Sequence, residues 1–293
     1  MALPRLIFIT GKGGTGKSTL SAALATALSR RRPTILADLD ARLSAARILG
    51  AKLEGTSVRV SKNLEVRTLT PRVELETFIE RIVPLKVISR RMLKSRTFGY
   101  VTAALPGMEA FLMLERLRAL AGEAALEDRY VVIDAPATGT ALELLSVAGG
   151  VKGIAPSGTL NRLAAEVESF LGDPNRFGVV LTLTPEELAL REAIEAAEAL
   201  SGDVAIHKIA AIVSGVPDAL FEAEELAAAA EIKEHARLAA RRVEAARAAA
   251  RAHGKLKKAG LRVIEIPMIF APVLSTTHLL DLSRKLEAEL FER

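Results

Sequence analysis

Residues 11–19 read Gly-Lys-Gly-Gly-Thr-Gly-Lys-Ser-Thr, and this string limits what the chain can fold into more than any other. The apolar run Leu6-Ile7-Phe8-Ile9 before it predicts a buried strand, and Leu20-Ser21-Ala22-Ala23-Leu24-Ala25 after it has helical spacing. Gly11, Gly16, Lys17 and Ser18 satisfy Gly-x4-Gly-Lys-Ser. A strand, a glycine-rich turn and a helix, in that order, form the context in which this pattern cradles phosphate. Glycines let the main chain wrap an anion closely, and the N–H groups at the helix start meet it with the positive end of the dipole. Lys17 is expected to reach the terminal phosphates and the Ser18 hydroxyl to meet magnesium. Gly13, Gly14, Thr15 and Thr19 complete the cradle. Nucleotide binding follows.

Over 293 residues, half are apolar and a quarter charged, enough for one large α/β core or two small ones. The chain has no cysteine, which rules out thiolate zinc sites and iron–sulfur ligation. Met1 to Pro4 lead straight into the first strand, so no signal peptide is expected, and no apolar stretch reaches the ~18 residues that span a bilayer. A cytoplasmic protein is the expectation. A net charge of +5 invites a nucleic-acid partner, but with 4% aromatic residues and no Trp there are few platforms for stacked bases. Between residues 218 and 260 acids come early (Asp218, Glu222, Glu224, Glu225) and bases late (Arg237 to Lys258), an order that suits one or two solvated helices. Nucleic acid is therefore not an expected partner.

Further along, Arg30-Arg31-Arg32-Pro33 stops the first helix and reads as a basic cap. Thr34-Ile35-Leu36-Ala37 predicts a second buried strand ending at Asp38-Leu39-Asp40, and Leu64 to Leu69 a third. Residues 71–125 read as an inserted helical subdomain within a single 1–293 domain. It holds Met92, Phe98 and Tyr100, and a stripe of Met108, Phe111, Leu114, Leu117 and Leu120 at three-residue intervals, with Met113 beside it. That stripe is either core or an adaptable groove for a hydrophobic client. Tyr130 to Asp134 is another strand ending in an acid, placed to hold magnesium directly or through water, with a loop after it that responds to the terminal phosphate. Val179–Leu183, Ile209–Val213 and Leu261–Ile266 supply further strands, and Leu279–Phe291 a terminal amphipathic helix. The expected fold is α/β, a doubly wound, mostly parallel sheet.

Lys12, directly after the first glycine, gives a Lys-Gly-Gly-x-Gly-Lys-Ser loop that resembles the deviant P-loop of a dimerising ATPase class. Asp134-Ala135-Pro136-Ala137-Thr138-Gly139 resembles the second switch of the arsenical pump-driving and tail-anchored protein targeting ATPases within it. Ala103 to Glu109, Leu171 to Pro174, and Leu181 to Glu187 with Arg191-Glu192 are similar to segments of the same family, so the likeness runs from about residue 5 to 290. The resemblance implies ATP as substrate and magnesium as its ion. It also implies that Lys12 reaches a partner's nucleotide, that Asp38 orients the attacking water, and that Ser18 and Asp134 serve the metal. Asp40 resembles the second acid of the septum-site ATPases. Ser214 stands where the family reads adenine with asparagine, and Pro267-Met268 resembles its second adenine contact. Thr140 replaces a usual histidine, and Leu39-Asp40-Ala41-Arg42 replaces a usual Pro-Ala-His-Asn run.

The resemblance thus implies a magnesium-dependent ATPase, a homodimer or a heterodimer with a homologue, whose ATP-driven closure handles a hydrophobic membrane-protein client. A low-turnover regulatory subunit in a heterodimer and the ATPase subunit of an anion pump are the alternatives. The absence of cysteine removes thiol capture of arsenite from the last.

Overall fold

A computed structural model describes residues 3–39, 43–52, 55–70, 107–154, 157–202, 205–217, 233–271 and 273–291. Asp40, residues 71–106 of the expected insertion and residues 218–232 lie outside that set.

Eight strands form one sheet in the order β3-β4-β2-β5-β1-β6-β7-β8. They are β1 (Leu6–Gly11), β2 (Thr34–Asp38), β3 (Ser57–Ser61), β4 (Leu64–Thr68), β5 (Tyr130–Ala137), β6 (Phe177–Leu183), β7 (Lys208–Val216) and β8 (Val263–Pro267). All neighbours run parallel except β3, which pairs antiparallel with β4 at the edge. This is the doubly wound α/β sheet that the sequence predicts.

Alternation along β1 explains its two covered faces. Leu6 and Phe8 belong to one core, Ile7 and Ile9 to the other, and all four are fully buried. A strand covered on both sides has no solvent face to make polar, so it reads as an unbroken apolar run. On the first face lie α3 (Met108–Leu126), α4 (Thr138–Ile154), α5 (Gly158–Gly172), α6 (Glu187–Ala199) and α7 (Lys233–Lys258). The other face carries α1 (Lys17–Ser29), the short α2 (Ser44–Ile48) and α8 (Thr276–Phe291). On the α5 side, Phe170 meets Phe177 edge-on with ring centres 5.3 Å apart.

One open alternative is resolved and two local expectations change. The stripe on α3 faces inward: Phe111, Leu114, Leu117 and Leu120 are fully buried, and Met113 nearly so. Its apolar face packs against β5, α4 and α5. Residues 57–61 form an edge strand absent from the sequence reading, in which Val58 and Val60 alternate with Ser57, Arg59 and Ser61 over only five residues. The Arg30–Arg32 triplet is a clamp as well as a helix end. Arg30 donates to Glu287 Oε2 at 2.6 Å and to Ser283 Oγ at 2.9 Å, and Arg31 donates to Glu287 Oε1 at 2.9 Å. The Arg31 guanidinium also sits 4.1 Å over the Phe291 ring, and Arg32 pairs with Asp128. The Arg30 and Arg31 contacts fasten α8 to the end of α1, and the Arg32 pair ties that end to the turn before β5.

Burial alone would raise the Glu287 carboxyl, but hydrogen bonds from Arg31 and Arg30 outweigh it and hold it below the ordinary carboxylate range. A depressed acid adds stability above its unfolded pKa, and that contribution is lost as pH falls through the folded value. Glu287→Gln should therefore lower unfolding stability by about 1 kcal/mol at neutral pH. In denaturant titrations the gap between wild type and variant should close as acidification passes about pH 4.3 and continues below it.

Candidate active site

The phosphate loop leaves β1 at the centre of the sheet, between β5 and β6. Gly11 is required there by space: an added Cβ would lie 2.0 Å from the Thr182 carbonyl oxygen and 2.3 Å from its hydroxyl. Gly14 and Gly16 both have φ of 85°, the left-handed region that glycine enters without strain. Gly16 is the N-cap of α1 and has no side-chain cap, so the helix opens with bare N–H groups. Gly13 and Gly14 are exposed, and a Cβ on either would meet no protein atom within 4 Å. Ser18 and Thr19 are half-buried in the first turn of α1. This is open space lined by main-chain donors, and it suits a polyphosphate.

Hydrogen bonds fix the loop's shape. The Thr15 hydroxyl donates to the Lys12 carbonyl at 2.8 Å, so the 2.8 Å contact between Thr15 and Thr182 has Thr182 as donor. Lys17 Nζ folds back and donates to the carbonyls of Gly11 and Lys12, each at 3.0 Å. Lys12 Nζ donates to Glu192 Oε1 of α6 at 2.8 Å, within the same chain.

The two acids stand side by side. Asp38 and Asp134 are register partners on β2 and β5, and both are buried. Asp134 Oδ1 accepts from the Ser21 hydroxyl at 3.0 Å, and the Asp134 carbonyl accepts the Leu39 N–H at 3.1 Å. Asp38 Oδ2 accepts the Ala45 N–H at 3.3 Å, tying it to α2. The segment after Asp134 is not a loop. β5 continues to Ala137 and α4 starts at Thr138, leaving Gly139 inside the helix. The β1–β5 register shifts between Ile9 and Gly11, and Pro136, which has no N–H to donate, falls in that irregularity. Its carbonyl accepts the Thr10 hydroxyl at 2.8 Å, joining the switch segment to the loop strand.

Ser214, Pro267 and Met268 come together at the ends of β7 and β8. Val216 is in register with Pro267, and the Met268 N–H donates to the Val216 carbonyl at 2.8 Å. The Ser214 Oγ lies 3.8 Å from where a Cβ on Gly16 would be, which puts this corner against the phosphate loop. That hydroxyl is buried and has no hydrogen-bond partner among the described residues. Thr10, Ser21, Thr182 and Glu192 belong to the same neighbourhood and were not singled out from sequence. Ser21 carried a local signal, one helical turn after Ser18, and Thr182 and Glu192 lie in segments similar to the family.

A central strand, a glycine loop on a helix start and two acids on the adjoining strand ends define a P-loop ATPase. The profile of the anion-transporting ATPase family matches residues 4–154, a stretch holding the loop, both acids and α4. The chain belongs to that family and is an ATP hydrolase of its kind. ATPase BagA of Mycobacterium tuberculosis is 27% identical over 240 residues, covering 78% of this chain and 69% of its own. A relative in Aquifex aeolicus, whose name describes an arsenical pump-driving ATPase, is 30% identical over 145 residues, 48% of either chain. The ATPase ASNA1 homolog of Cryptosporidium parvum is 30% identical over 143 residues, 48% of this chain and 37% of its own.

Gly11→Ala forces a methyl group into main chain that cannot move aside. It should destabilise the fold by about 3 kcal/mol, the upper range of overpacking, measured as a lowered midpoint in chemical denaturation.

Proposed function

We propose that this chain is a magnesium-dependent ATPase that works as a dimer, with ATP closing two sites against each other. The observation that carries this reading is the pairing of Asp38 with Asp134 beside the phosphate loop. On binding ATP, Lys17 exchanges the carbonyls of Gly11 and Lys12 for phosphate oxygens, while the N–H groups of residues 13–19 surround the anion. Asp38 orients the attacking water, and its link to Ala45 holds the carboxylate in one direction. Lys12 reaches the partner's nucleotide and meets charge that develops in the transition state. Ser214, Pro267 and Met268 take the adenine edge.

The donor set fits magnesium. Ser18 and Asp134 offer hard oxygen ligands, and Ser21 orients the Asp134 carboxylate. No cluster of three or more His, Asp or Glu among the described residues could hold a metal alone, so the remaining ligands would be phosphate and water. When bound, the ion supplies positive charge to the phosphate oxygens.

The output we infer is movement of a hydrophobic membrane-protein client. Its support is the composition of residues 71–106, with Met92, Phe98 and Tyr100, since the stripe on α3 is committed to the core. A low-turnover regulatory subunit is the second reading. Thr140, which puts a hydroxyl where the family resemblance expects an imidazole, lines a cavity of about 460 Å³ with Leu39, Met113, Pro136 and Val147.

Purified protein should hydrolyse ATP only with magnesium, and a chelator should abolish turnover. Lys17→Ala and Asp38→Asn should each lower it about a hundredfold or more; turnover unchanged in Lys17→Ala would refute the assignment. Action of Lys12 across the dimer has its own test. Lys12→Ala and Lys17→Ala subunits, each inactive alone, should recover about a quarter of wild-type turnover on mixing. Half of randomly formed dimers are mixed, and each holds one complete site. No recovery would exclude sharing between subunits.

A further inference from the structure

Lys12 is held in two different ways. Its carbonyl is fixed by three donors: the Thr15 N–H at 3.4 Å, the Thr15 hydroxyl at 2.8 Å and Lys17 Nζ at 3.0 Å. Its side chain is held by one ion pair, Nζ to Glu192 Oε1 at 2.8 Å. Glu192 is delivered by a rigid neighbour. It sits in the second turn of α6, which starts four residues after β6 ends, and β6 is the strand packed against Gly11. The Glu187 carboxylate in the first turn of α6 pairs with Lys255 of α7 at 2.7 Å, so the helix is braced from its far side. Both partners of the Lys12 pair remain about one-third exposed, at 35% and 36%.

We propose that Glu192 is a positioning residue that retains Lys12 within its own subunit and sets how much charge a partner's nucleotide must present to draw it across. The proposal rests on the reading of Lys12 as the residue shared between subunits. The main chain at Lys12 is clamped, so only the side chain can swing, and its partner among the described residues is a single carboxylate at the surface. Such a pair is weak because solvent screens it and ordering two long side chains opposes it. A triphosphate carries several charges and outcompetes one carboxylate, whereas a diphosphate presents less charge and leaves the pair closed more often. Glu192 thereby makes closure selective for the triphosphate. Without the carboxylate, Lys12 is free at all times, closure needs less subunit, and the diphosphate becomes a better closing ligand.

The test is ATP turnover per subunit as a function of protein concentration, in wild type and Glu192→Gln, at saturating magnesium-ATP. Wild-type turnover should rise with concentration. In Glu192→Gln the half-maximal concentration should fall about three- to thirtyfold, because two surface-strength ion pairs no longer have to break per dimer. Sedimentation with ADP should show more dimer in the variant than in wild type. Glu192→Asp, which keeps the charge but withdraws it by one methylene, should shift both readouts the same way by less, and it stands in if the glutamine variant does not fold. With Lys12→Ala in the background, where turnover is already lost, Glu192→Gln should leave the dimer fraction with ADP unchanged. A merely structural Glu192 would lower the melting temperature and leave the half-maximal concentration and the ADP dimer fraction where they were; that result overturns the proposal and leaves the dimer reading intact. Wild-type turnover that is flat on dilution and indifferent to Lys12→Ala overturns the dimer reading itself.

Discussion

The approach of β1 to β6 at Gly11 is the contact on which the phosphate loop depends. The Thr182 carbonyl and hydroxyl fill the volume that a side chain at 11 would need. That hydroxyl also donates to Thr15, and Thr15 in turn closes the loop on the Lys12 carbonyl. β1 is held between β5 and β6 and buried on both faces, so it cannot retreat to relieve the crowding. One strand therefore sets the shape of the loop. Because β6 leads into α6, it also determines where Glu192 meets Lys12.

The opposite flank follows from the same burial logic. With both faces of the sheet covered by helices, polar groups find room at the strand ends, where the next connection begins. Asp38 ends β2, Asp134 stands near the end of β5, and Ser214 lies toward the end of β7, forming a row across the carboxyl edge of the sheet. Each acid is also part of the scaffold. Asp134 binds Ser21 of α1 through its side chain and Leu39 through its carbonyl, while Asp38 binds α2 through one and Leu69 through the other. Replacing either disturbs packing as well as chemistry, so isosteric Asp→Asn changes are the informative ones.

How much of this the sequence revealed depends on how local the physics is. The phosphate loop, the buried strands and the strand-end acids were legible because glycine geometry, apolar runs and their termini act within a few residues. β3 was not, since its alternation rests on two valines, Val58 and Val60, in a five-residue edge strand whose partner is recognised only through main-chain pairing. Neither was the extension of β5 through Pro136, where a register irregularity with β1 overrides the turn signal of proline. The stripe from Met108 to Leu120 was legible as a stripe, with core and groove both open, because its spacing does not say what covers it. The partners of Arg30–Arg32 and of Glu192 were not legible for one reason: each lies more than 90 residues away.

The charges of the lone subunit have a common logic. Lys17 is satisfied by loop carbonyls, Lys12 by Glu192 and Asp134 by Ser21. The site does not wait with bare charges, which would be costly in a partly buried setting. A nucleotide must replace these contacts one for one, and the replacements differ in difficulty. Lys17 gives up two neutral carbonyls for an anion, an exchange favoured by any phosphate. Lys12 gives up a full negative charge, an exchange favoured only by a ligand with more charge to offer. The two lysines are five residues apart on one loop, yet their partners make the first suited to binding and the second to discrimination.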